Sequence, residues 1–327
     1  MSEQTTEFIA MDRKECLARV LAGEDIDRVL CAFWHHYDSR HKYGKASVAA
    51  HAAFYREVPC DIFKVMNEHM FRINESIEKP SDWARVTRIP FEKGPYPGLI
   101  EEAVAIRKVL PIDLPMFATV HGVLVSAYHA TDTPGNFVNP NNKVSTHLRE
   151  DPASVAKGLQ VVADTLCELC DRLLDAGMDG IYYAALGGEA YRFERPFFEK
   201  YVKPFDKQVV EHVKSRGGLT ILHICKGQVR LPMYQGIDAD IINWDVHDCP
   251  YKLADGRKLF SGKTLLGGFD DRSGILVEAD RDSIEKEAER IVQEVGRNRF
   301  ILGADCTLPE NIESWRINTV LAKALNL

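Results

Sequence analysis

No stretch of the 327-residue chain reaches the ~18 consecutive apolar residues that a membrane-spanning helix needs, so no membrane partner is expected. Nor is there an excess of basic charge. Lys and Arg number 41 against 48 Asp and Glu, a formal net charge of −7. Nucleic acid as the main partner would favour the opposite balance. The opening MSEQTTEFIAMDRKE has neither the apolar core of a signal peptide nor an Arg-rich, acid-poor transit composition, and a cytoplasmic home is expected. No G-x-G-x-x-G follows the first apolar run and no G-x-x-x-x-G-K-[ST] occurs, so the nucleotide-fold markers are missing. No repeat, low-complexity segment or linker splits the chain, and residues 1–327 are expected to form one domain.

What is present is a large apolar core and many thiols. Hydrophobic residues make up 45% and charged residues 27%, a globular balance. Cys16, Cys31, Cys60, Cys167, Cys170, Cys225, Cys249 and Cys306 are expected to stay reduced in a chain of this size without an export signal. Eight short apolar runs alternate with helical patterns: 28–34, 61–67, 115–121, 180–186, 219–225, 240–246, 264–270 and 300–306. Near-continuous apolar runs are what parallel strands covered by helices require. The helix pattern at 152–177 repeats apolar residues at three- and four-residue steps and stops at Gly177; another at 278–296 stops at Gly296. Eight such units predict an α/β fold, a (β/α)8 TIM barrel with an N-terminal helical extension; the open doubly wound sheet is the alternative. The polar stretch 123–151 reads as a long loop or lid, with a short helix at its start.

A barrel collects chemistry at the C-terminal ends of its strands. Those ends carry His35 and His36, Glu68, His121, then His223 with Cys225, Asp245, Asp270 and Cys306. His223 and Cys225, in TILHICKGQ, are two positions apart and so face one side of a strand, roughly 7 Å apart. A buried thiol beside a satisfied core histidine would explain the pair. So would a metal: one imidazole and two thiolates form a sensible Zn2+ set with a fourth position open. Glu68, His121, Asp245 and Asp270 are candidates for substrate contacts or, equally, structural hydrogen-bond partners, and His35 and His36 are candidate pocket lining. Cys167 and Cys170 form C-x-x-C, but on a helix face suited to core filling. DVHDCP at 245–250 begins like the corrinoid-binding D-x-H-x-x-G, yet Pro250 stands where Gly is required.

Several segments taken together resemble the uroporphyrinogen decarboxylase superfamily: KECLARVLAGEDIDRVLCAFW (14–34), CDIFKVMNE (60–68), LTILHICKG (219–227) and NRFILGADCTLPENI (298–312). The resemblance spans nearly the whole chain and implies a (β/α)8 barrel with its site at the C-terminal mouth. The arginine-rich stretch by which true uroporphyrinogen decarboxylases hold their substrate is replaced by FWHHYDSRHKYGK (33–45), and Asn67 and Glu68 stand where their catalytic aspartate is expected. The zinc-dependent, corrinoid-linked methyltransferases of the superfamily are the nearer likeness. Their H-x-C and distant Cys fall on His223, Cys225 and Cys306. That likeness implies Zn2+, a corrinoid carried by a separate corrinoid-binding protein, and methyl transfer to or from a thiol or other small molecule. The alternative it leaves is a decarboxylase acting on another carboxylate, or a small-ligand-binding member without zinc.

Overall fold

The computed structural model describes residues 12–131 and 139–327. Eight parallel strands form its centre: β1 (Leu30–Ala32), β2 (Phe63–Val65), β3 (Met116–His121), β4 (Gly180–Ala185), β5 (Leu219–Ile224), β6 (Ile241–Trp244), β7 (Thr264–Phe269) and β8 (Phe300–Ala304). They pair in the order β1-β8-β7-β6-β5-β4-β3-β2. Almost every strand residue is buried on both faces, which is why the sequence reads as continuous apolar runs. The order leaves one seam, between β1 and β2. Asp61 pins it: its N–H donates to Cys31 O at 3.0 Å, and its carboxylate accepts from Cys31 N at 2.9 Å and Arg28 at 2.7 Å. The result is a nearly closed (β/α)8 barrel preceded by an extra helix, Arg13–Ala22.

Helices cover the outside. The longest, Pro152–Asp175, starts at Asp151, whose carboxylate accepts from Ser154 N, and has Pro at its first position. Val155, Leu159, Val162, Leu166 and Leu173 form its buried stripe, and Cys167 and Cys170 lie in the same core as free thiols. Gly177 then takes φ +92°, a conformation that closes the helix and favours glycine. The helix Arg281–Val295 is built alike, from the cap at Asp280 to Gly296. No described helix is long and apolar enough to cross a membrane.

In the stretch 123–151 the expected helix at the start is present, Val123–Thr131, but a second helix, Lys143–Glu150, stands where a loop was expected. Its asparagines misled because they terminate rather than unfold. Asn139 accepts from Asn141 N at 2.9 Å, and Asn142 caps the second helix by accepting from Ser145 N at 2.9 Å. That helix buries Val144 and Leu148 against Pro152–Asp175. Residues 132–138 of the segment lie outside the described residues.

Candidate metal centre

His223 projects from the end of β5. Cys225 follows one residue past the strand, still in register, because its N–H donates to Ala185 O at 3.0 Å as a ladder bond would. Cys306 lies two residues beyond β8. Barrel closure brings the three together: one ligand atom from each lies within 4.8 Å of the others, and Cys306 Sγ is 3.4 Å from His223 Nε2. Cys225 hydrogen-bonds the Cys306 sulfur. That bond holds the Cys306 thiol well below its ordinary value and pushes Cys225 up, so the pair shares one proton between them.

The histidine is oriented by Asn243 of β6. Asn243 Nδ2 donates to Leu266 O at 2.9 Å and Ala304 O at 3.2 Å, which fixes its Oδ1 as the acceptor. His223 Nδ1 therefore donates to that oxygen, at 2.6 Å, and Nε2 is left with its lone pair facing the sulfurs. The Tyr182 ring stacks on the imidazole, with centroids 5.2 Å apart. Gly267, beside Asn243 and Asp305, and Gly268 sit at φ +142° and +117°, a backbone conformation that side chains rarely adopt, and a Cβ on Gly268 would press on Ile291 at 2.7 Å.

The turn after Cys225 is strained. Lys226 and Gln228 are left-handed without being glycine, at φ 72° and 56°. Gly227 between them presses on Asp248 so closely that a Cβ would lie 1.8 Å from Asp248 Oδ2. Ala190 N holds Gln228 O at 2.8 Å and Cys249 Sγ donates to Val229 O at 3.4 Å. Such strain costs on the order of 1 kcal/mol per residue and persists only where neighbours impose it.

His223, Cys225, Cys306, Tyr182 and the turn from Lys226 to Gln228 line one cavity of about 660 Å3 at the mouth. His36 and His121 also reach it. Burial lowers His121 to about 3, so its imidazole is neutral, and its Nδ1 has no hydrogen-bond partner. The other expected residues turn elsewhere. His35 meets His36 O at 2.6 Å and packs edge-on against Phe54. Glu68 is buried beside the cavity, where burial alone would raise it; His36 at 2.8 Å and Lys42 at 3.1 Å overcome that and hold it near 2. Asp245 folds its own turn, accepting from His247 N and Asp248 N and pairing with Arg272 at 3.2 Å. Asp270 caps the next turn through Arg272 N and Ser273 N.

Lys64, Tyr182, Asn243 and Asp271 are among the cavity or supporting residues that escaped the sequence reading. All but Tyr182 carried a signal of a kind. Lys64 and Asn243 are polar interruptions of otherwise apolar strand runs, in DIFKVMN and DIINWDV. Asp271 sits one place beyond the expected Asp270. It lines the cavity, and burial, with the Cys306 charge, lifts its carboxyl to about 7.

Comparison with solved structures agrees on the fold. A methyltransferase from Methanosarcina mazei superposes with a TM-score of 0.76 at 15% identity, over 96% of this chain and 98% of that one. A B12-independent methionine synthase from a Shewanella species, in complex with selenomethionine, gives 0.57 at 15% identity over 85% of each chain. No curated protein matches in sequence. A family model described as uroporphyrinogen decarboxylase (URO-D) matches residues 65–324, from the last residue of β2 to the end of the final helix, and takes in His223, Cys225 and Cys306. The chain belongs to the uroporphyrinogen decarboxylase family.

Proposed function

We propose that the protein is a zinc-dependent methyltransferase, with His223, Cys225 and Cys306 as the metal ligands. It moves a methyl group between a methylated corrinoid protein and a thiol or other small methyl donor or acceptor. One observation carries this: an imidazole and two sulfurs converge at the cavity with the imidazole's second nitrogen already spent on Asn243. The donor set suits zinc, and its spacing does too. Tetrahedral zinc separates a ligating sulfur and nitrogen by about 3.5 Å, against 3.4 Å between Cys306 Sγ and His223 Nε2. When bound, zinc supplies an open Lewis-acidic position that lowers the pKa of a thiol.

The chain's own residues supply the rest. Asn243 fixes the imidazole, the Tyr182 ring covers one side of it, and the cavity gives the small substrate a place beside the three ligand atoms. Residues 245–250 form a turn with Pro250 in place of the motif glycine, so the corrinoid arrives on a separate protein docked over the mouth. Eight free thiols fit work in the cytoplasm. The test is direct. Purified protein is measured for zinc by elemental analysis, then mixed with methylcobalamin and small thiols while thioether product is followed by mass spectrometry. About one zinc per chain and thioether formation are expected; protein that takes up no zinc on reconstitution removes the reading.

A further inference from the structure

The thiols of the chain fall into two groups. Cys16, Cys31, Cys60, Cys167, Cys170 and Cys249 are buried; Cys225 and Cys306 are not. Those two line the cavity at the mouth, where a small solute can meet both sulfurs. The buried thiols are shut away, and several are engaged. Cys31 and Cys60 donate to Val29 O and Phe33 O, each at 4.0 Å, and Cys249 donates to Val229 O at 3.4 Å. Burial pushes Cys60 up to about 12 and Cys167 up to about 11, away from the thiolate form that oxidants attack.

The two accessible sulfurs are also neighbours. They share a hydrogen bond and lie, with a ring nitrogen of His223, within 4.8 Å of one another. Neither residue sits inside a strand: Cys225 is one residue past β5 and Cys306 two past β8. Drawing the sulfurs from hydrogen-bond contact to a bond of about 2.05 Å therefore asks for movement in side chains and strand-end residues, not for a shift of the barrel. An accessible thiol beside a second one that can resolve it is the arrangement on which peroxide chemistry stops at a disulfide. The rival pair, Cys167 and Cys170, is held inside the helix Pro152–Asp175, with Cys170 fully buried.

We propose that Cys225 and Cys306 form a peroxide-responsive redox pair, whose oxidation to a disulfide dismantles the metal site. One sulfur attacks a peroxide oxygen; the O–O bond breaks, leaving a sulfenic acid and a first water. The other sulfur then attacks the sulfenic sulfur. The S–S bond forms, the S–O bond breaks, and the departing hydroxide takes a proton to become a second water. The two thiols lose two electrons and two protons, and one peroxide gains them. His223 is then left alone of the three ligands, and a single imidazole makes no zinc site. A thiol reductant reverses the change. What is switched rests on the zinc reading; the switch itself rests on the two sulfurs.

The experiment treats zinc-reconstituted protein and chelator-stripped protein with hydrogen peroxide. Released zinc is followed with a chromophoric indicator, remaining thiols are alkylated, and unreduced peptides are mapped by mass spectrometry. A peptide linking Cys225 to Cys306 is expected in both samples, with zinc released from the loaded one in step with the link and the buried thiols still alkylated once the protein is unfolded. Dithiothreitol should restore both thiols and zinc binding. Cys167→Ala should oxidise as wild type does, whereas Cys306→Ala should carry Cys225 to an unlinked sulfenic or sulfinic acid. Zinc-loaded protein in which Cys225 and Cys306 stay alkylatable, oxidise without linking, or link only after the metal is stripped overturns the inference and leaves the metal reading intact; so does a Cys167–Cys170 link in their place. Protein that takes up no zinc yet forms the Cys225–Cys306 link keeps the redox pair and removes the metal reading. The wild-type peptide map decides the matter even if a variant fails to fold.

Discussion

Two clusters of three possible metal ligands lie side by side at the barrel mouth, and they are not equivalent. His223, Cys225 and Cys306 form one; Asp245, His247 and Asp305 form the other. Both pass a distance criterion. They differ in what the chain has already done with their lone pairs. Asp305 accepts from Val246 N at 2.8 Å, His247 N at 3.2 Å and Gly268 N at 3.2 Å, and takes His247 Nδ1 at 2.7 Å. Asp245 accepts two more backbone N–H groups and an arginine. The second cluster is thus a staple joining the ends of β6, β7 and β8. The first has no backbone donor on its sulfurs among the described bonds, and its imidazole is turned with Nε2 inward. Convergence counts as a site only when the converging atoms remain unsatisfied.

The sharpest way to break this contrast is to delete one member of each cluster. Cys306→Ala should take zinc from about one per chain to a small fraction, and activity with it, while circular dichroism stays native, because the mouth adds little to the apolar barrel core. Asp305→Ala should do the opposite. It takes the side-chain acceptor from Val246 N and Gly268 N, leaves His247 N with Asp245 alone, and should cost about 3 kcal/mol of stability in chemical denaturation. If Asp305→Ala were as stable as wild type, the staple would be a misreading. If Cys306→Ala kept its zinc, so would the metal centre.

How much of this was legible in the sequence follows from the same distinction. The eight strands were, since parallel strands buried on both faces write themselves as apolar runs. His223 and Cys225 were, since a two-residue step is fixed by strand geometry. Asp270 and Asp271 were not separable: adjacent residues past a strand end point wherever the turn sends them, and here the turn spends Asp270 on its own N–H groups and buries Asp271 in the cavity. Asp245 and Glu68 were expected at the mouth and are there, but engaged by neighbours that only the tertiary fold brings near. Asn243 showed only as a polar break in an apolar run, and its role was hidden for that reason too. It does not line the cavity, and its role exists only through His223 and two distant carbonyls.

Asn243 gives the next prediction, smaller than the first two. Asn243→Ala keeps all three ligand atoms and removes only the acceptor that fixes the His223 tautomer. Zinc affinity should fall about 10- to 100-fold by competition with a chromophoric chelator. An unchanged affinity would mean that packing on Tyr182 alone orients the ring.

The smallest effect tests the staple by pH. The hydrogen bond to Asp305 raises His247 above its ordinary 6.5. A histidine raised on folding contributes stability that is complete below the unfolded value and is lost as pH climbs through the folded one. Wild type should therefore lose stability relative to His247→Asn as pH rises above about 6.5, since asparagine can still donate to Asp305 but carries no charge to lose. Solvent screens the effect, because the His247 side chain is 40% exposed; a few tenths of a kcal/mol is the expected size, about that of an exposed ion pair. Melting curves of the two proteins between pH 5.5 and 9 measure it. A difference that is flat with pH would show that His247 serves Asp305 as a neutral donor only, and the staple would then be a hydrogen-bonded one without an ionic part.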